Sequence, residues 1–202
     1  MNRLFSILLF PFAIVLSLAQ TPHPPVSPKH TNQPEALVRS LYQQVLVRTP
    51  SGLLYGSNRR IFSPYLSKSL LGKLDVADEC VRDWERQNKG RLLKPPFNFM
   101  ESGIFTGGDE KTSPGDFHIE RVQAQRDGSL SVFVRLTYRP RDGPGSWRVA
   151  TVVTPENGTF VVNDVIYLKD KNLSPLEPTE YRLSDVLTQG CEGSHWVGYR
   201  GH

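Results

Sequence analysis

The chain has 202 residues, of which 38% are hydrophobic and 22% charged, with two cysteines. That composition suits one ordinary globular domain with its own core, and it excludes a collagen-like fibre, a disordered polar tail or a disulfide-dense miniprotein. The formal charge of +4 sets 24 basic against 20 acidic residues, an excess too slight to call for nucleic acid or an anionic membrane as partner.

Residues 1–19, MNRLFSILLFPFAIVLSLA, join Arg3 to an apolar run from Leu4 to Leu18 and close on Ser17, Leu18 and Ala19. A short basic region, an apolar centre and small residues at the minus-three and minus-one positions form a secretory signal peptide cleaved near Ala19. An uncleaved anchor is the competing reading, but a spanning helix needs about 20 apolar residues, and Pro11 interrupts a run that is already shorter. The expectation is a periplasmic or secreted protein without stable membrane insertion. Residues 20–33 are too rich in proline to pack and read as a disordered linker, leaving residues 34–202 as a single α+β domain. Export also gives Cys80 and Cys191 a meaning. In an oxidising compartment a paired count is most simply one disulfide, with two free thiols as the alternative.

The segment TNQPEALVRSLYQQVLVRT opens with Asn32 as a cap, Pro34 in the first turn and Glu35 three residues after the cap. Leu37, Val38, Leu41, Tyr42 and Val45 make its apolar stripe, so this is an amphipathic helix. A second helical stretch opens at Ser63 and Pro64 and runs toward Gly90, with Leu66, Leu70, Leu74, Ala77, Val81 and Trp84 on one face and Gly72 as a possible break. Cys80 lies at the margin of that face. Arg59-Arg60 and the YRPRDG stretch read as solvated loops.

From Phe117 the period becomes alternating. FHIERVQAQ, LSVFVRLTY, WRVATVV and TFVVNDVIYL are four strands whose short connections force an antiparallel meander. Asp127-Gly128 and Asn157-Gly158 are type I′ hairpin dipeptides. In the first strand Phe117 and Ile119 are out of phase with Val122 and Ala124, which calls for a bulge near Glu120-Arg121. Leu130, Val132, Val134, Leu136, Tyr138, Trp147, Val149 and Val153 form the face that meets the helices. Phe133, Ala150, Val152, Val161, Val165 and Tyr167 form a second apolar face, to be covered by the tail or by a second copy in a homodimer. Leu183, Val186 and Leu187 fit a short C-terminal helix ended by Gly190, after which a bridge from Cys191 to Cys80 would staple the tail, with Trp196 and Tyr199, onto the body.

N-terminal helices, a bent antiparallel meander and the strand TFVVNDVIYL resemble the cone-shaped fold of the nuclear-transport-factor-two-like superfamily. TFVVNDVIYL followed by LSDVLTQGCEGSHWVG resembles, more narrowly, exported bacterial proteins grouped as domain-of-unknown-function family 3828. The resemblance runs from Pro34 to about Gly198. It implies a fold and no catalytic residues, because that superfamily holds isomerases, dehydratases, binding proteins and scaffolds.

Asp164 is the first candidate for chemistry. Alternation places it beside Phe160, Val162, Ile166 and Leu168, where burial would raise a carboxyl pKa and suit it to proton transfer with Tyr138 or Tyr167. The plainer reading pairs it with Arg135 or Arg148, or with a backbone amide. Cys191 with His195 would form a nucleophile and base only if the thiol escaped oxidation. For metal, His118, His195 and the cysteines lack ligand spacing, and TGGDEKTSPGD lacks the ending of a phosphate-binding loop, so no metal and no cofactor is expected. Trp84, Trp147 and Trp196 either line a pocket or fill the core, the latter being the phase of the first two. Asn157-Gly158-Thr159 and Asn172-Leu173-Ser174 match the glycosylation pattern, though turn chemistry explains the first. The leading expectation is a non-catalytic exported module binding a small ligand or protein partner, through the mouth of the cone or its second apolar face. Alternatives are an isomerase- or dehydratase-type enzyme using Asp164, and an immunity-type inhibitor of an exported toxin.

Overall fold

The structure is a computed structural model that describes residues 33–93, 103–107, 113–139, 145–168 and 180–199. The expected signal peptide, the expected linker up to Asn32, most of the RPRDG stretch and the Asn172 pattern lie outside these residues.

Helix α1 (Pro34–Arg48) begins on Pro34, whose missing N–H costs nothing in a first turn, and ends where Thr49 turns left-handed at φ 42. It buries Leu37, Val38, Leu41, Tyr42 and Val45, the stripe expected from spacing. The next helical stretch differs from expectation. Gly56–Phe62 forms α2, a 3-10 turn follows at Ser63–Tyr65, and α3 spans Lys68–Gln87 without a break at Gly72. Ser63 does not cap the start of a helix but the end of α2, where its hydroxyl donates to the Arg59 carbonyl at 2.6 Å. The cap of α3 is Ser67, whose Oγ accepts the Leu70 amide at 3.0 Å. The chain must leave the helical region between these two serines because Leu66 bridges to Val162 and the Ser67 amide donates to the Val162 carbonyl at 2.8 Å. Such a contact with a strand a hundred residues away leaves no local signature. Arg59, expected in a loop, sits in α2 and pairs with Asp75 at 2.6 Å.

The chain then builds a five-stranded antiparallel sheet, giving an α+β architecture. Strands β1 (Pro114–Ala124), β2 (Leu130–Tyr138), β3 (Ser146–Glu156), β4 (Thr159–Leu168) and β5 (Glu180–Arg182) lie in sequence order across it. The short β5, paired with Ile166–Leu168, is an addition to the four strands that alternation indicates. The bulge in β1 falls between Ile119 and Arg121, as the phase change requires. A second bulge was not legible. Between Val152 and Val153 the register of β3 slips against β4, so that Val153 faces Val162, Val152 faces Asp164, and Asn163 is extra. The Ser67 hydroxyl donates to the Asn163 side-chain oxygen at 2.7 Å and holds the bulge against the cap of α3.

That slip reverses the phase of half a strand. Val165 and Tyr167 join the main core under the helices, with Val162 and Phe160, whereas Ile166 and Leu168 pack with Phe133, Ala150 and Val152 on the other face. Asp164 therefore shares a face with Val152 and not with Phe160 and Val162. At the hairpins, Asn157 and Gly158 both have positive φ (53 and 79), as a type I′ turn demands. The other turn is different: only Gly128 is left-handed, and Asp127 instead accepts the Ser129 amide and hydroxyl at 3.0 and 2.7 Å.

After β5 come the short helix α4 (Leu183–Val186) and a small hairpin of β6 (Cys191–Glu192) and β7 (His195–Trp196). Leu183 and Leu187 enter the core, and a disulfide joins Cys80 to Cys191. No helix among the described residues is long and apolar enough to cross a membrane.

Candidate functional site

On the helix-covered face of the sheet the protein packs a piece of its own chain. Gly103–Gly107 forms a tight turn there, bridged to Gly52 and closed by the Thr106 and Gly107 amides donating to the Gly103 carbonyl at 3.0 and 2.7 Å. Three side chains from three elements hold three successive carbonyls of this turn. Tyr167 Oη donates to Ile104 O at 2.7 Å, Tyr42 Oη to Phe105 O at 2.8 Å, and Trp147 Nε1 to Thr106 O at 2.8 Å. Tyr42 Oη also bonds Thr151 Oγ1 at 3.1 Å. The Phe105 ring is fully buried 4.9 Å from Phe62. Burial drives both phenol pKa values far above their ordinary range, so Tyr42 and Tyr167 remain protonated donors at any physiological pH. Sequence reasoning missed this turn. Its one signal was the apolar pair Ile104-Phe105 isolated in a glycine-rich stretch.

Asp164 makes no hydrogen bond to either of the two tyrosines proposed beside it, although its charge adds to the burial that raises the Tyr167 pKa. Tyr138 stacks on Trp147 on the core face, with centroids 4.8 Å apart, and the Tyr167 hydroxyl serves Ile104. Asp164 points to the opposite side, where Oδ1 accepts the amides of Val165 (2.9 Å) and Ser184 (3.0 Å) and Oδ2 accepts the Ser184 hydroxyl (2.8 Å). Arg182 stands 3.7 Å from Oδ2. This is the backbone-amide reading, and it ties β4 to the first turn of α4. Arg135 and Arg148 go elsewhere: both bond Glu120, the bulged residue of β1, and hold its carboxyl below the usual range, Arg148 most strongly.

Cys191 and His195 also have settled partners. Cys191 is disulfide-bonded, so it offers no thiolate to His195, which is exposed and 3.9 Å from Asp83. The hairpin lies along one stripe of α3 made by Cys80, Asp83 and Gln87. Asp83 Oδ2 accepts the Trp196 amide at 3.0 Å, and Gln87 Nε2 donates to the Trp196 carbonyl at 3.1 Å. The Trp196 amide, ahead of Arg86 and Gln87, depresses the Asp83 pKa. Trp196 closes over Gly190, where any Cβ would meet its ring at 2.4 Å, and stands edge-on to Tyr199.

Surface clefts are found among the described residues. One of about 560 Å³ runs along Thr188–Glu192 and Val197–Tyr199. Another, of about 200 Å³, lies between α2 and α3 beside Tyr55, Arg59, Asp75 and Asp78, and its charges are already matched: Arg59 to Asp75, and Asp78 to Arg82. No cluster of three metal-ligating side chains occurs among the described residues. No family model, curated protein or solved structure matches the chain. What the arrangement offers chemically is hydrogen bonding and apolar contact, with its buried acid and phenols committed to the protein itself.

Proposed function

We propose that the chain is an exported, non-catalytic interaction module of the nuclear-transport-factor-two-like kind, akin to domain-of-unknown-function family 3828. It binds a protein partner through the sheet face turned away from the helices. One observation carries this reading: the turn at Gly103–Gly107 packs on the helix-covered face and takes up its Tyr, Tyr and Trp donors, which are then not offered to a small ligand. The outer face, by contrast, presents half-buried Phe133 and Leu168 around a small apolar cluster, with Arg121 stacked 3.6 Å over Phe133. Aromatic rings flanked by arginine are what protein interfaces use as anchors. Neutralising an exported toxin is one task such a face suits. Isomerase or dehydratase chemistry is less favoured, because Asp164 lies across the sheet from Tyr138 and Tyr167 and is bonded to Ser184.

The test is a photo-crosslinking amino acid placed at Phe133, with Val76 on the exposed side of α3 as control, in protein exported by its host. A discrete adduct from position 133 that Arg121→Glu abolishes, and none from position 76, is expected. Equal adducts from both positions, or none, would refute the reading. An isomerisation or dehydration activity lost in Asp164→Asn would replace it with the enzymatic one.

A further inference from the structure

The two ends of the Cys80–Cys191 bridge are unequally placed. Cys80 sits within α3 with no exposed surface, whereas Cys191 is half-buried at the start of β6. The cleft of about 560 Å³ has Cys191 in its wall, together with Thr188, Gln189, Glu192, Val197 and Tyr199. That volume falls within the range of about 300–1,000 Å³ usual for small-molecule pockets. A disulfide opens when a thiolate attacks one of its two sulfurs, and access decides which one is attacked. Here Cys80 is closed off, and the cleft leads to Cys191.

Opening this bond does not by itself release the tail. The hairpin closes on itself, with Cys191 paired to Trp196, Glu192 to His195, and the Val197 amide donating to the Gly190 carbonyl at 2.9 Å. It is also tied to α3 by Asp83, which accepts the Trp196 amide, and by Gln87, which donates to the Trp196 carbonyl. Leu183 and Leu187 fix the chain ahead of it in the core. After cleavage these contacts keep the two sulfurs neighbours, and the Cys80 thiol stays placed to close the bond again.

We propose that Cys191 is a thiol-exchange site of the folded protein, and that its co-reactant is a small peptide thiol of the glutathione kind. The incoming thiolate attacks Cys191 Sγ and forms a mixed disulfide there. The bond between Cys80 and Cys191 breaks, and its electron pair leaves on the Cys80 sulfur, which takes up a proton. One disulfide is exchanged for another, so this step consumes no separate oxidant or reductant. The reverse step follows the same line: the Cys80 thiolate attacks Cys191 Sγ and expels the peptide thiolate. Because Cys80 acts within the same molecule, its effective concentration is high, and the capped form grows only as the peptide thiol becomes abundant. The protein thus has two covalent states of its tail, stapled and thiol-capped, that interconvert without unfolding.

Reduced glutathione added to the purified, folded chain tests this. Samples are quenched at intervals with N-ethylmaleimide in acidic urea, and the modified peptides are identified by mass spectrometry. Glutathione should appear on Cys191 with the maleimide on Cys80, and not the reverse. The opening rate should rise in proportion to glutathione concentration and exceed the global unfolding rate, measured by urea jumps extrapolated to water, by at least about tenfold. Val197→Trp, which narrows the cleft from an exposed position, should slow opening at least about fivefold with the thermal midpoint unchanged. Glutathione on Cys80, no mixed disulfide at all, an opening rate that ignores glutathione or equals that of unfolding, or a Val197→Trp protein that exchanges as fast as the parent would each overturn the proposal. The outer sheet face plays no part in these readouts, so they stand or fall apart from the partner-binding reading.

Discussion

Replacing Tyr42 by Phe tests whether the Gly103–Gly107 turn is held by its donors or simply trapped by packing. Tyr42 is fully buried, and its one oxygen serves the Phe105 carbonyl and the Thr151 hydroxyl, the latter also fully buried. The substitution keeps the ring and removes only that oxygen, so almost no cavity forms. What remains is a buried carbonyl and a buried hydroxyl that have lost a partner, each costing about 1–3 kcal/mol when left unsatisfied. Thr151 can rotate its hydroxyl toward another acceptor, which places the sum nearer about 2–3 kcal/mol, a large part of the roughly 5–15 kcal/mol that holds a domain folded. Tyr167→Phe, which frees the Ile104 carbonyl one residue away, is expected to cost about 1–2 kcal/mol by the same rule. The two losses should not add. Once one donor is gone the turn loosens and the second donor holds less, giving a coupling of at least about 0.5 kcal/mol in the double-mutant cycle. Urea unfolding with an unchanged slope measures the energies. Hydrogen exchange at the Thr106 and Gly107 amides, which bond the Gly103 carbonyl, reports the turn directly. A cost for Tyr42→Phe below about 0.5 kcal/mol, with exchange at those amides unaltered, would show that packing alone retains the turn.

Removing the staple with Cys80→Ala and Cys191→Ala together should lower stability by up to about 4.7 kcal/mol, since the bridge closes a sequence separation of 111; a loss under about 1 kcal/mol in urea titration would show that the Asp83 and Gln87 contacts hold the tail unaided. The Glu120 carboxyl is held low by Arg148 and Arg135 in the folded protein, so its contribution is present above the unfolded glutamate pKa and fades as pH falls through the folded value. Glu120→Gln should therefore flatten the acid limb of the stability curve and leave the alkaline limb alone. An acid limb as steep as the parent's would locate that pH dependence elsewhere.

The stripe of α1, the β1 bulge and the Asn157-Gly158 turn were all legible because each answers to a local rule. Leu37, Leu41 and Val45 recur at helical spacing, Phe117 and Val122 disagree in phase, and two positive φ angles call for Asn-Gly. The candidate site was harder to read. Asp164 keeps Ile166 and Leu168 on its face, but Phe160 and Val162, expected beside it, lie on the other, and its carboxylate accepts backbone amides. One extra residue, Asn163, turned it over, and nothing in NDVIYL distinguishes a bulged strand from a straight one.

What the sequence by itself determined is a matter of period and composition: helices followed by antiparallel strands, and two cysteines available to each other. The tertiary structure alone decided where α3 begins, which way Asp164 points, and that a glycine-flanked Ile-Phe pair closes the core. Each of these depends on contacts between residues far apart in the chain, such as Ser67 with Val162 and Asn163, or Tyr42 with Phe105. Local patterning sets what a segment can become, but the energy that selects among the options appears only when distant segments bury the same surface.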